Sequence, residues 1–135
     1  MAFAFFRRDI NQSKIVRVRV ASNKSPWLRY CNVGDIYSVP ISHGEGRFIA
    51  PDDVIKNLAS MGQIATQYVD LDGNASSDIL FNPNGSMMAI EGITSPDGRV
   101  FGKMGHAERV GNGLYKNVSG EYFMHMFESG IRYFK

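Results

Sequence analysis

Cysteine is almost absent: Cys31 stands alone among 135 residues. No disulfide can form within the chain, so its core must rely on packing, as suits a reducing compartment such as the cytoplasm. Also missing is any run near the roughly 20 consecutive apolar residues that a membrane-spanning helix needs. The opening Met1-Ala2-Phe3-Ala4-Phe5-Phe6 is apolar, but no basic stretch precedes it and Arg7-Arg8 ends it, which is unlike a secretion signal. Excess charge of one sign is absent too, since 15 Lys and Arg face 13 Asp and Glu. That balance, without an extended basic stripe, argues against a nucleic-acid partner. There is no Walker-type phosphate loop, no dinucleotide fingerprint, no internal repeat and no low-complexity linker. The three histidines, His43, His106 and His125, are scattered and have no metal-ligand spacing. With 44% apolar residues, the expectation is one unit over residues 1–135 with its own core.

What is present is an alternation of strand-like and helix-like segments, which places the chain in the α/β class. Lys14-Ile15-Val16-Arg17-Val18-Arg19-Val20 puts three valines on one face and two arginines on the other. The arginine face reads as the solvated side of an antiparallel or edge strand, because no aromatic platform accompanies it. Asn23-Lys24-Ser25-Pro26 marks a turn, since proline fixes its own φ and keeps the preceding residue out of the helical region. Trp27 to Cys31 then reads as one helical turn capping the core. Further strands are expected at 36–41, 48–50, 63–70, 87–93 and 100–104. Pro51 or Asp52 starts a helix whose Val54, Ile55, Leu58 and Met61 share a face and which Gly62 ends. Residues 71–77 and Asn82-Pro83-Asn84-Gly85-Ser86 are turn regions, and Ser95-Pro96-Asp97-Gly98 is a tight turn. A closing helix is expected from Ser119 to about Phe134, with Phe123, Phe127, Ile131 and Phe134 as its buried face and His125 on the surface.

The candidate chemistry sits just after the strand at 100–104. Gly105 breaks that strand and presents His106 and Glu108 with one small residue between them. In extended backbone, side chains two apart point to the same side. The carboxylate can then orient the imidazole and support its cationic form, the base half of a nucleophile, base and orienting-acid triad. By spacing alone the same pair also fits a solvated loop contact. Cys31 lacks the glycine-rich strand-to-helix turn that exposes a thiolate and aims backbone N–H groups at an oxyanion, and it reads as a half-buried small apolar side chain. His43, in Ser42-His43-Gly44-Glu45-Gly46-Arg47, is either a binding-wall residue or a loop histidine satisfied by backbone. Gln67 is either a buried hydrogen-bonding group or a substrate contact.

The run from Ile90 to Arg109, Ile90-Glu91-Gly92-Ile93-Thr94-Ser95-Pro96-Asp97-Gly98-Arg99-Val100-Phe101-Gly102-Lys103-Met104-Gly105-His106-Ala107-Glu108-Arg109, resembles the glutaminase domain of the phosphoribosylformylglycinamidine synthase family, which are purine-pathway class I glutamine amidotransferases. Ser25-Pro26-Trp27-Leu28, Ser42 to Phe48, Gly62 to Asp70 and Asn82 to Ser86 carry more of the same pattern. The resemblance implies a flavodoxin-like, three-layer α/β domain with a mixed sheet and flanking helices. It implies His106 as base and Glu108 as orienting acid, and Ser42 and His43 as contacts to the glutamine. The family's cysteine sits on a glycine-rich elbow upstream of the matched segment, and no such elbow occurs here. The chain thus resembles the C-terminal part of the domain.

By the same resemblance, L-glutamine is the substrate of the complete domain, and its ammonia serves an ATP-dependent amidation of formylglycinamide ribonucleotide. The expected partners are the synthetase part or an N-terminal complementing segment. ATP and magnesium belong to the synthetase part and no cofactor is expected in this chain. Exposed strand edges and apolar faces would favour self-association. The alternative is a non-catalytic binding or structural module derived from the same domain.

Overall fold

Alternation decides the first strand. In β1, Gln12–Val20, the side chains of Val16, Val18 and Val20 are buried while Lys14 is exposed and Arg17 and Arg19 are half-buried. The structure, a computed structural model, describes residues 12–43 and 46–135, without the side chains of Gln12, Ser13 and His43. The apolar start at 1–6, Gly44-Glu45 and the His43 side chain therefore lie outside the described residues. The other strands are β2, Ile36–His43, β3, Ile64–Tyr68, β4, Ile90–Thr94, and β5, Phe101–Lys103. They form one sheet in the order β2-β1-β3-β4-β5, and every neighbouring pair is antiparallel. Two helices, α1, Asp52–Ser60, and α2, Met126–Phe134, complete the α/β architecture.

The central strand β3 is buried along its whole length. Val16, Val18, Val20, Val39, Ile41 and Tyr68 pack with Leu28, Cys31 and Met124 in the larger core cluster. Phe48, Ala50, Ile55, Ile64 and Ile90 make the second. Each fully buried Val, Leu or Ile contributes about 1.5–3 kcal/mol relative to an exposed one, so these two clusters hold the sheet. The Ser25-Pro26-Trp27 turn acts as a clamp. Ser25 Oγ accepts from Trp27 N–H and donates to Gly98 O at 2.7 Å, and Trp27 Nε1 donates to Arg99 O at 2.8 Å. This ties the segment after β1 to the β4–β5 turn, where Gly98 takes a positive φ of 73°.

Four expectations need correction. Residues 48–50 form no strand, although Phe48 and Ala50 are buried. Met61 is half exposed beyond the end of α1, which Gly62 closes in left-handed backbone at φ 66°. Residues 87–89 form a 3-10 turn instead of the first half of a strand, with positive φ at Met88 and Ala89. Asn82 exchanges side-chain hydrogen bonds with both backbone groups of Ser86, and Met87 N–H donates to Phe48 O, which bends the chain before β4 can begin. Apolar content alone does not distinguish such a turn from a strand.

The largest correction concerns α2. It starts at Met126, because the preceding backbone is committed elsewhere: Ser38 N–H donates to Glu121 O at 2.7 Å and Cys31 Sγ donates to Met124 O at 3.1 Å. The buried residues of α2 are Met126, Ser129 and Gly130, whereas Phe123, Phe127, Ile131 and Phe134 are about half exposed. Small side chains let the helix approach the indole of Trp27 closely, and a Cβ on Gly130 would lie 2.3 Å from that ring.

Candidate functional site

His106 and Glu108 sit just beyond the end of β5. His106 Nδ1 lies 2.7 Å from Glu108 Oε1, with both side chains partly exposed. Burial pushes the Glu108 carboxyl up, but hydrogen bonds from its own backbone N–H and from His106, with the charges of His106 and Arg109, outweigh that and leave it below its ordinary value. An ionised carboxylate only accepts, so Nδ1 carries the proton of this contact and Nε2 keeps the free lone pair. Among the described residues, nothing hydrogen-bonds Nε2. The pair is therefore arranged to take a proton at Nε2 while Glu108 supports the cation that results.

Position comes from the residues around the pair. His106 N–H donates to Pro40 O on β2 at 2.8 Å. Gly105 fits between two walls, since a Cβ there would lie 2.5 Å from Val39 Cγ2 and 2.9 Å from Glu91 Oε1. Glu91 is almost wholly buried and accepts Gly105 N–H at 2.6 Å and Lys103 Nζ at 3.0 Å on Oε1, and the Thr66 hydroxyl on Oε2. Lys103 Nζ also donates to Gly105 O at 3.0 Å. Burial first, and then the charge of Glu91, hold the Tyr68 hydroxyl protonated. Glu91, Lys103 and Thr66 were not apparent as site residues from sequence. The available signal was a lone glutamate amid the apolar residues 87–93.

Ser42 is exposed near the end of β2, two residues beyond the Pro40 carbonyl that receives His106 N–H. The fold thus brings this end of β2 to the His106 corner, while the His43 side chain lies outside the described residues. Cys31 is not at this corner. Burial pushes its thiol up, the hydrogen bond from Tyr37 opposes this, and Asp35 adds to it. A buried thiol with its proton on Met124 O is poorly placed to be a nucleophile. The cationic face of β1 is structural: Arg17 donates to the carbonyls of Asp70 and Leu71, and Arg19 to Gln67 Oε1. Gln67 is committed on both ends, because its Nε2 donates to Met88 O at 2.8 Å. His125 is exposed and pairs with Glu128. Among the described residues no group of His, Cys, Asp and Glu is arranged to hold a metal, and no helix is long and apolar enough to cross a membrane.

Comparison with known proteins bears on the same corner. The chain is 40% identical over 105 residues to the phosphoribosylformylglycinamidine synthase subunit PurQ of Synechocystis, covering 78% of this chain and 46% of that subunit. It is 34% identical over 107 residues to the PurQ subunit of Aquifex aeolicus, covering 79% of this chain and 46% of that subunit. The chain thus spans a little under half the length of these relatives. Among solved structures, PurLQS from Thermotoga maritima contains a chain that superposes with a TM-score of 0.70 at 27% identity, over 100% of this chain and 54% of that one. The CobB/CobQ-like glutamine amidotransferase domain matches residues 3–134, from ahead of β1 to the end of α2. With the His106–Glu108 corner lying inside that match, this chain belongs to the CobB/CobQ-like glutamine amidotransferase domain family.

Proposed function

We propose that this chain supplies the base half of a glutaminase that feeds ammonia to phosphoribosylformylglycinamidine synthesis. The observation that carries the reading is the 2.7 Å contact of His106 Nδ1 with Glu108, on a backbone corner pinned to β2. In the complete domain, a cysteine thiolate on a glycine-rich elbow attacks the side-chain amide of glutamine. His106 takes the thiol proton at Nε2 and returns it to the leaving nitrogen as the C–N bond breaks, yielding ammonia and a glutamyl thioester, which water then hydrolyses. Glu108 keeps the imidazole in one tautomer and stabilises its cation throughout. Ser42 and His43, at the end of β2, contact the glutamine. The nucleophile comes from the other part of the domain, an N-terminal complementing segment. The ammonia passes to a synthetase part, which holds the ATP and magnesium, and PurLQS from Thermotoga maritima motivates that partnership.

The test is ammonia release from glutamine, measured on the purified chain and on the chain mixed with a polypeptide bearing the cysteine elbow of a PurQ relative. The chain alone should release none. The mixture should release ammonia, and His106→Ala should abolish it. Release by the chain alone that disappears with Cys31→Ala would make Cys31 the nucleophile and overturn the assignment. Undiminished release by the His106→Ala mixture would remove His106 from the reaction.

A further inference from the structure

The backbone of Gly105 and His106 is held from three directions, and two of the holds come from a pair of buried charges. Gly105 N–H donates to Glu91 at 2.6 Å, Gly105 O accepts from Lys103 at 3.0 Å, and His106 N–H donates to Pro40 O. Glu91 reaches this position because the β3–β4 register slips at it: Thr66 pairs with Gly92 and Gln67 with Ile90, so Glu91 has no partner of its own on β3. Such an irregularity re-aims a side chain. Here Glu91 meets Thr66, Lys103 and Gly105, with the glutamate side chain fully inaccessible and the lysine nearly so. A buried ion pair is a weak source of stability, because an apolar pair of similar volume commonly does as well. The hold on Gly105, in contrast, requires an acceptor at this place.

We propose that Glu91 is a positioning residue for His106: with Lys103, it fixes the Gly105 peptide so that the ring meets Glu108 through Nδ1 and leaves Nε2 for the reacting proton. This rests on the reading of His106 as the glutaminase base. Glu91 touches no reacting atom and acts only through the backbone.

The experiment is 15N NMR of the full chain with labelled histidine, at a pH where the ring is neutral, read for the tautomer of His106. The wild type should carry its proton on Nδ1, and Glu108→Ala should return the ring to the Nε2–H form that a free imidazole prefers. Glu91→Leu with Lys103→Met should lose most of the Nδ1–H population while the sheet amides keep their dispersion. Glu91→Gln with Lys103→Met should retain it, because the amide oxygen still accepts Gly105 N–H. A wild-type tautomer in the Leu and Met combination would overturn the proposal. A second measurement needs no variant: the Gly105 amide of the wild type should exchange with solvent far more slowly than the amides of residues 111–117, and equal rates would overturn the proposal as well. Failure of the underlying reading is distinct, since it shows as undiminished ammonia release by the His106→Ala mixture, whatever tautomer these variants adopt.

Discussion

Two histidines in this chain meet a glutamate through Nδ1, and their surroundings differ in almost every respect. His106 reaches Glu108 at 2.7 Å from a backbone corner whose amides are bonded to Glu91 and to Pro40 O. His125 reaches Glu128 at 3.2 Å across the first turn of α2, itself in left-handed backbone at φ 52°, with its ring edge-on to the exposed Phe123. Glu128 is shared with Arg132 at 3.3 Å on the helix surface. The chemical groups are the same in the two pairs. What separates them is the framework: the first sits on buried, fully bonded backbone, and the second on a helix end that faces solvent. An exposed ion pair contributes only ~0–1 kcal/mol and is easily rearranged, so a residue used as a base must draw its orientation from elsewhere.

The contrast can be broken at the buried support. Glu91→Ala should have the largest effect, about 3–5 kcal/mol in urea unfolding, because it leaves Lys103 charged and unpaired in the interior. Equal stability of wild type and variant would show that the Glu91 carboxylate is dispensable to the corner. Gly105→Ala should cost about 2–3 kcal/mol, since its Cβ would press on both Val39 and Glu91. In a complemented glutaminase it should also cost turnover beyond what stability explains. On the α2 side, Gly130→Ala should destabilise by about 1–3 kcal/mol through its clash with Trp27, seen as weakened tryptophan fluorescence changes on unfolding and a lower midpoint. At the small end, His125→Ala should move stability by no more than about 0.5 kcal/mol and leave complemented ammonia release intact. A large loss of release from that variant would place the second pair in the reaction and erase the distinction.

Acidification sharpens the comparison further. The Glu108 carboxyl is held below its ordinary value in the folded chain. A carboxyl with a lowered folded value contributes stability above its unfolded value and loses it as pH falls through the folded one. The His106–Glu108 contact should therefore persist through the ordinary carboxylate range and disappear only below it. Following the Glu108 carboxyl carbon by 13C NMR checks this, and a midpoint at or above that of an unstructured glutamate would contradict it.

Much of this was legible locally. The valines of β1, the Gly62 stop after α1 and the turn at Ser95-Pro96-Asp97-Gly98 follow from alternation, caps and turn chemistry, each confined to a few residues. His106 and Glu108 were legible as a pair two residues apart after a strand, but the extended backbone expected to face them the same way is instead a turn at 107–108, closed by Arg109 N–H donating to His106 O at 3.1 Å. The bend at 87–89 was not, because it depends on Asn82 folding back onto Ser86 and on Phe48 accepting Met87 N–H. Nor was the orientation of α2, whose packing on Trp27 uses Ser129 and Gly130 and leaves Phe127, Ile131 and Phe134 about half exposed.

The sequence by itself determined the alternation of β1, the stop after α1, the tight turn before β5 and a histidine two residues from a glutamate beyond it, because those are decisions of short-range geometry. Only the tertiary structure decided that Glu91 and Lys103 meet Gly105, that Pro40 anchors His106, and that Cys31 is sealed beneath Met124. Glu91 lies 14 residues before Gly105, and Cys31 lies 93 before Met124. Contacts across such separations exist only after the sheet has closed, and it is the removal of water at closure that makes a buried carboxylate seek those particular donors.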